Sequence, residues 1–429
     1  MNKKQYNLTP ILTIAIAIFF CLVNCNTASA EFLAAIAVRD VTPNPLLPVS
    51  GGVGPSNPTT KTLGRLNVRA MVFENSGTRV AICSTDFLGF PGVLCDKVRA
   101  KVPSIPPQNI LIGATHTHSA PDCYGFPDRT GKSAIDLEYV NSVCSKLADA
   151  INEAVKKLRP AKIKIATGRA KGKIAYNYYA EQLYDPRCDV IQAIDNNGKP
   201  FITLINYACH PEVLGSEQGI LSPDFVGPFY DRIKARGGGT GIYMNGAQGG
   251  MVTADCRGPN GKDLRTWDEC LRIGHLLADE SLRIVDDAHV LSNPHLYCAS
   301  KTVDFPVDSE LLRAVVQASP LGFELKDSHN VSTQLNVVNL ANAQILTIPG
   351  EALPNIGYYL KRKMHGTHNL LFGLTNDAFG YILTKEDWDS FDRYKYITRT
   401  CLGEMTGEIY IQQALKFIND CPRPIRFAH

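Results

Sequence analysis

Ile110-Leu111-Ile112-Gly113-Ala114-Thr115-His116-Thr117-His118 is a short, wholly apolar run that ends abruptly in a polar turn carrying two histidines. The same form recurs along the chain. Ile202-Thr203-Leu204-Ile205-Asn206-Tyr207 runs into Ala208-Cys209-His210-Pro211, and Gly241-Ile242-Tyr243-Met244 into Asn245-Gly246-Ala247-Gln248-Gly249-Gly250. Gln344-Ile345-Leu346-Thr347-Ile348 runs into Pro349-Gly350-Glu351, and Leu370-Leu371-Phe372-Gly373-Leu374 into Thr375-Asn376-Asp377, shortly before Tyr381. Short apolar runs bounded by turn residues read as buried strands. Amphipathic stretches at 141–158, 225–236, 266–284 and 352–364 repeat apolar residues at helical spacing between them. Strands alternating with helices give an α/β fold. Segments 161–169 and 296–307 alternate apolar and polar residues with no helix between partners, so the expected architecture is a layered domain with mixed β-sheets flanked by helices.

Composition sets the limits. With 429 residues, 45% hydrophobic and 20% charged, the chain is long enough to bury a large core. A formal charge of +3 without a Lys/Arg run leaves no footprint for nucleic acid. Residues 1–30 read as a secretory signal peptide: Lys3 and Lys4, an apolar run from Ile11 to Val23, then Ala28-Ser29-Ala30 before Glu31. A lipid-anchored Cys25 is the competing reading, which Asn24 fits poorly. Export to the periplasm or the medium follows from the first reading. No later run reaches the length of about 18 apolar residues that crossing a bilayer takes. Residues 31–429 show no repeat or linker and read as one domain; their eleven cysteines, an odd number, could pair in part outside the cytoplasm.

His116 and His118 stand two positions apart just past a strand, and His210 follows another strand in the same way. Neutral imidazoles gathered at strand ends suit a zinc ion, which at a catalytic site takes three protein ligands and an open position. Glu351 offers a carboxylate at a third strand end, although the same residue in the first turn of a helix is equally an ordinary dipole-stabilising acid. Two isolated histidines are as easily structural. Spacing alone leaves these alternatives open.

Taken in order, Gly113 to Pro121, Asn206 to Pro211, Ser222-Pro223-Asp224-Phe225-Val226-Gly227, Asn245 to Gly250, Ile348 to Glu351 and Gly380-Tyr381-Ile382-Leu383-Thr384 resemble the neutral, non-lysosomal ceramidase family over nearly all of the chain after residue 30. The resemblance implies Zn2+ held by His116, His210, Glu351 and Tyr381, with His118 as a second active-site histidine. It implies a further catalytic tyrosine at Tyr394 or Tyr396, of which Tyr394 is taken here, and substrate contacts from Asn245 and Gln248. The implied reaction is hydrolysis of an amide in a small-molecule or lipid N-acyl compound, with peripheral membrane contact compatible with a lipid substrate. Two departures stand out. Where the family carries a serine, Gly249-Gly250-Met251-Val252-Thr253 places Val252, and Asn177-Tyr178 stands where ceramidases tend to show Asn-Arg. No residues remain for the immunoglobulin-like domain of the family's longer members. The competing readings are a binding protein that kept the fold and lost the reaction, and a metal-dependent esterase or phosphoesterase drawing on Asp86, Asp122, Asp224 and Asn245, residues that equally suit turns and caps.

Overall fold

The computed structural model describes Met1 and residues 31–128, 130–133 and 135–425. Apart from Met1, the leader read over residues 1–30 lies outside them.

Both faces of most strands are apolar because both are covered. In Asn67–Asn75, Val68, Ala70 and Val72 face one core while Met71 and Phe73 face another. Thr78–Thr85 divides in the same way, with Ala81 and Cys83 on one side and Val80 and Ile82 on the other. Period-2 geometry enforces that division. The second face of each large sheet meets the others in one central core, where Leu111, Leu204, Ile242, Val338, Ile345 and Phe372 all lie buried.

Three sheets share that core, and each carries helices on its outer face. The first runs Ile110–Ala114, Thr78–Thr85, Asn67–Asn75, Leu33–Asp40, Arg159–Pro160, with helices Gly92–Arg99 and Leu137–Lys156 packed beyond it. The second runs Thr240–Asn245, Pro200–Tyr207, Arg187–Ile194, Lys162–Arg169, Val290–Leu291, covered by Val226–Ala235 and Trp267–Val285. The third runs Leu296–Pro306, Asn330–Leu340, Ala343–Thr347, His368–Phe372, covered by Pro354–Lys363 and Thr406–Asp420. Each sheet mixes antiparallel pairs with one parallel pair, and the parallel pairs hold the runs that open the site: Thr78–Thr85 with Ile110–Ala114, Pro200–Tyr207 with Thr240–Asn245, and Ala343–Thr347 with His368–Phe372. The mixed, layered α/β expectation describes this architecture. The four expected helices form, starting at Asp136 and Thr266 where side-chain oxygens accept from Tyr139 N and Glu269 N. Helices Gly92–Arg99, Glu310–Ala318 and Thr406–Asp420 were not anticipated.

Polar ties join the sheets where their strands end. Asn206 Nδ2 donates to Met244 O, Asn245 O and Leu371 O (3.1, 2.8 and 2.7 Å), and its Oδ1 accepts from Leu371 N at 3.0 Å. That one carboxamide fixes the third sheet against the second. Gly113 meets the third sheet so closely that a Cβ there would stand 2.6 Å from Thr375 Oγ1. All eleven cysteines after residue 30 are unpaired, ten of them buried, so none of the pairings open to the sequence is formed. Among the described residues no helix is long and apolar enough to cross a membrane.

A buried charge cluster makes a second tie between these two sheets. Lys361, on the helix over the third sheet, lies 2.9 Å from Asp189 and 3.1 Å from Asp185 beside the second. Burial works against the Lys361 ammonium, but the two carboxylates outweigh it and raise its pKa. Removing one member of such a cluster strands the others. Lys361→Ala is expected to lower the unfolding free energy by about 3–5 kcal/mol, read from chemical denaturation; a variant as stable as the parent would show that the cluster does not join the sheets.

Candidate metal centre

His116 leaves the strand Ile110–Ala114 with φ at +73°, a left-handed conformation uncommon for a side chain of this kind. Its position is fixed from the neighbouring loop: His116 N donates to Phe87 O at 2.9 Å and its Nδ1 meets Leu88 O at 2.5 Å. His210 is held from the strand Val252–Ala254, where one carbonyl, Val252 O, lies 2.8 Å from both the backbone N and the ring Nδ1 of His210. His118 N donates to Pro211 O at 3.1 Å, and its Nδ1 faces Glu212 Oε2 at 3.7 Å. Glu351 begins a two-residue strand in parallel register with Tyr381–Ile382, which sets Glu351 beside Tyr381. Gly249 packs so close that a Cβ there would stand 2.2 Å from Glu351 O.

With each Nδ1 turned to an oxygen, the three Nε2 atoms face inward. His116 Nε2 lies 3.2 Å from His118 Nε2 and 3.4 Å from Glu351 Oε2, and His210 Nε2 lies 3.1 Å from the same carboxylate oxygen. The three imidazoles offer ligand atoms all within 4.8 Å of one another. The Leu88 and Val252 carbonyls only accept, so they place the His116 and His210 ring protons on Nδ1 and leave lone pairs on Nε2, and the Glu212 carboxylate favours the same tautomer of His118 from 3.7 Å. With the rings in that tautomer their Nε2 lone pairs converge with the buried Glu351 carboxylate, an arrangement that a cation resolves. The spacing fits one: two atoms each about 2.1 Å from a tetrahedral ion stand about 3.4 Å apart. The donor set therefore suits a zinc ion. Burial raises the Glu351 carboxyl; protons on the facing His116 and His210 rings, through their charge and hydrogen bonds, outweigh it and hold the carboxyl well below the usual carboxylate range, a role that a bound cation would take over. Burial and the neighbouring His116 and His210 rings hold His118 well below its ordinary value, so it is neutral near pH 7.

The cluster lies at the foot of a cavity of about 880 Å3 lined by His116, His118, Glu351, Tyr381 and Tyr396, with Leu312, Val315, Leu321, Phe323 and Phe379 among its apolar residues. Tyr381, read as a fourth ligand, lines this cavity with its hydroxyl 2.9 Å from Met251 Sδ. Burial and the Glu351 charge push its phenol well above the ordinary value, so it carries its proton. Tyr394 is not among the lining residues. It packs against Tyr179 and Phe391 (centroids 5.3 Å apart in each pair), whereas Tyr396 lines the cavity with its ring 5.9 Å from that of Tyr381.

The two residues read as substrate contacts are elsewhere. Asn245 is fully buried and its carboxamide is taken up by backbone: Nδ2 donates to Thr115 O (3.0 Å) and Cys209 O (2.9 Å), while Oδ1 accepts from Cys209 N (3.1 Å) and Gly246 N (2.9 Å). It clamps together the residues just ahead of His116 and His210. Gln248 is fully buried, lies outside the cavity lining, and its amide atoms have no hydrogen-bond partner within the chain. The Val252 side chain sits in the core over the second sheet; Met251 is the neighbour that reaches Tyr381. Asp122 and Asp224 spend their carboxylates on backbone N–H groups, at Tyr124 and Phe126 and at Leu214 and Phe225, and Asp86 accepts from Asn67 N. Among the described residues the histidine trio is the only group of three or more His, Cys, Asp or Glu placed to hold a metal, so the two-metal arrangement of a phosphoesterase is not formed by these acids. Glu212 and the carbonyls of Leu88 and Val252 escaped the sequence reading. His-Pro-Glu adjacency is the one sequence signal for the first, and backbone acceptors leave none.

Fold and site define a layered α/β protein with a histidine-rich, metal-competent centre beside a large, partly apolar cavity. No family model matches the chain. It is 27% identical over 200 residues to neutral ceramidase B of Dictyostelium discoideum, covering 41% of this chain and 28% of that protein. It is 26% identical over 235 residues to neutral ceramidase A of the same organism (48% and 33%), and 24% identical over 200 residues to the neutral ceramidase of Pseudomonas aeruginosa (41% and 30%). The matched stretches thus span a third or less of these relatives. The crystal structure of neutral ceramidase from Pseudomonas aeruginosa superposes with a TM-score of 0.74 at 16% identity, over 93% of this chain and 76% of that one. A ceramidase complexed with C2 gives 0.71 at 17%, over 93% and 77%. The chain has the fold of these ceramidases and is similar in sequence to neutral ceramidases over part of its length.

Asn245→Ala removes four hydrogen bonds and leaves buried backbone groups unpaired. It is expected to cost about 2–4 kcal/mol of unfolding free energy and to weaken metal uptake, both followed by denaturation with and without added zinc; unchanged stability would show that the clamp is dispensable.

Proposed function

We propose that the chain is an exported, zinc-dependent amide hydrolase acting on an N-acyl compound with a long apolar portion. The observation that carries this reading is the inward-facing set of His116, His118, His210 and Glu351 beside a large, partly apolar cavity. The shared fold with ceramidases and the sequence likeness to three of them support the substrate class. Export rests on the leader read at residues 1–30.

His116, His210 and Glu351 are the residues that would hold the ion, with His118 and Tyr381 facing the same cavity. Zinc bound there supplies a Lewis acid that acidifies water and polarises a carbonyl. His118 Nε2, neutral and turned to the cavity, accepts the proton of the attacking water and returns it to the leaving nitrogen as the C–N bond breaks. The Tyr381 and Tyr396 phenols, protonated at neutral pH, donate to the carbonyl oxygen as it gathers charge. The apolar wall receives the acyl or long-chain portion and excludes water from it.

A second reading, an N-acyl lipid carrier without turnover, draws on the absence of a hydroxyl at both Met251 and Val252. One experiment separates the two. Protein purified without added metal is assayed for zinc by mass spectrometry and incubated with a panel of N-acyl substrates including ceramide. The hydrolase reading expects one zinc per chain and fatty-acid release that a chelator abolishes. Zinc with lipid bound but uncleaved supports the carrier, and no zinc uptake even after incubation overturns the metal reading.

A further inference from the structure

We propose that Glu212 is a positioning residue for the metal centre, a carboxylate that backs His118 as main-chain carbonyls back the other two histidines; this rests on the zinc reading above. Each of the three imidazoles has a different oxygen behind its Nδ1: Leu88 O at 2.5 Å for His116, Val252 O at 2.8 Å for His210, and Glu212 Oε2 at 3.7 Å for His118. Only the third is a side chain, and only the third is charged.

The need for it follows from burial. The His116 and His210 side chains are 4% and 0% exposed and are locked by their surroundings, whereas His118 is 14% exposed and faces the cavity. A ring with open space on one side needs a partner to fix its rotation and its tautomer. Glu212 is well placed to be that partner because the chain holds it twice: Glu212 N donates to His210 O at 3.1 Å, and the preceding Pro211 O accepts from His118 N at 3.1 Å. His210-Pro211-Glu212 thus supplies one ligand from its first residue, anchors the backbone of His118 with its second and backs the ring with its third. At 3.7 Å the contact is electrostatic rather than a hydrogen bond. A carboxylate there favours the proton on Nδ1 and so turns the Nε2 lone pair, rather than an N–H, toward the pocket of the ion, where an N–H would repel a cation.

The test is zinc affinity, measured by competition with a chromophoric chelator on the full chain and four variants: Glu212→Ala, Glu212→Gln, His118→Ala and the Glu212→Ala/His118→Ala double variant. Glu212→Ala is expected to weaken zinc binding about 10- to 100-fold. Glu212→Gln, which keeps an acceptor without the charge, should fall between. In the His118→Ala background the Glu212→Ala change should have no further effect, because a residue that acts through His118 has nothing left to act on. The zinc-free forms of the Glu212 variants should melt with the parent, since the side chain is partly exposed. Glu212→Ala binding zinc as tightly as the parent overturns the proposal, as does an equal loss with and without His118. A parent chain that takes up no zinc is a different result, and it removes the metal reading together with this one.

Discussion

Three imidazole nitrogens within 4.8 Å of one another share a buried pocket with Glu351, one carboxylate oxygen of which lies 3.4 Å from His116 and 3.1 Å from His210. Left alone, that arrangement is repulsive, and a buried carboxylate without a partner is costly besides. The chain would relax it if it could, by turning a ring or withdrawing Glu351. Most of what surrounds the site can be understood as preventing that relaxation. His116 is held in a left-handed backbone conformation with its ring against Leu88 O, His210 is tied twice to one carbonyl, and Glu351 is fixed by strand pairing beside Tyr381. Holding these groups in place beforehand would lower the ordering that binding a cation must impose.

Such rigidity needs strands rather than free loops. His116, His210 and Glu351 follow strands of three different sheets, and a site of this kind is only as well placed as those sheets are with respect to each other. The shared central core brings them together without fixing them to a fraction of an ångström, because apolar contact is not directional. Direction comes from the polar ties at the strand ends. Asn206 joins the second sheet to the third, and Asn245 joins the two histidine loops. Close glycine approaches do the rest: at Gly249 even a methyl group would displace the Glu351 carbonyl.

The strands were legible because each apolar run is buried on both faces and ends in turn residues, so composition alone marks its limits. The histidines and Glu351 were legible as polar residues at those limits. What escaped is what depends on direction. An asparagine at a strand end looks the same in sequence whether it meets substrate or backbone, and Asn245 meets backbone. Tyr394 and Tyr396 lie two positions apart where the chain enters a helical turn, which points them about 200° apart; one therefore faces the cavity while the other packs against Tyr179. Helix Glu310–Ala318 lines the cavity with Leu312 and Val315, which the sequence could not distinguish from core residues.

The departure at Val252 takes on a narrower meaning once its backbone and side chain are considered separately. Its carbonyl orients His210, and any residue could supply that carbonyl; its side chain is packed in the core of the second sheet. Valine at this position is thus compatible with an intact metal centre. What the segment lacks is a hydroxyl near Tyr381, where Met251 presents a thioether instead. A thioether is a weak acceptor and no donor, so it cannot hold a polar group of substrate as a serine could. The valine therefore leaves the arrangement of His116, His118, His210 and Glu351 untouched and changes only what faces Tyr381.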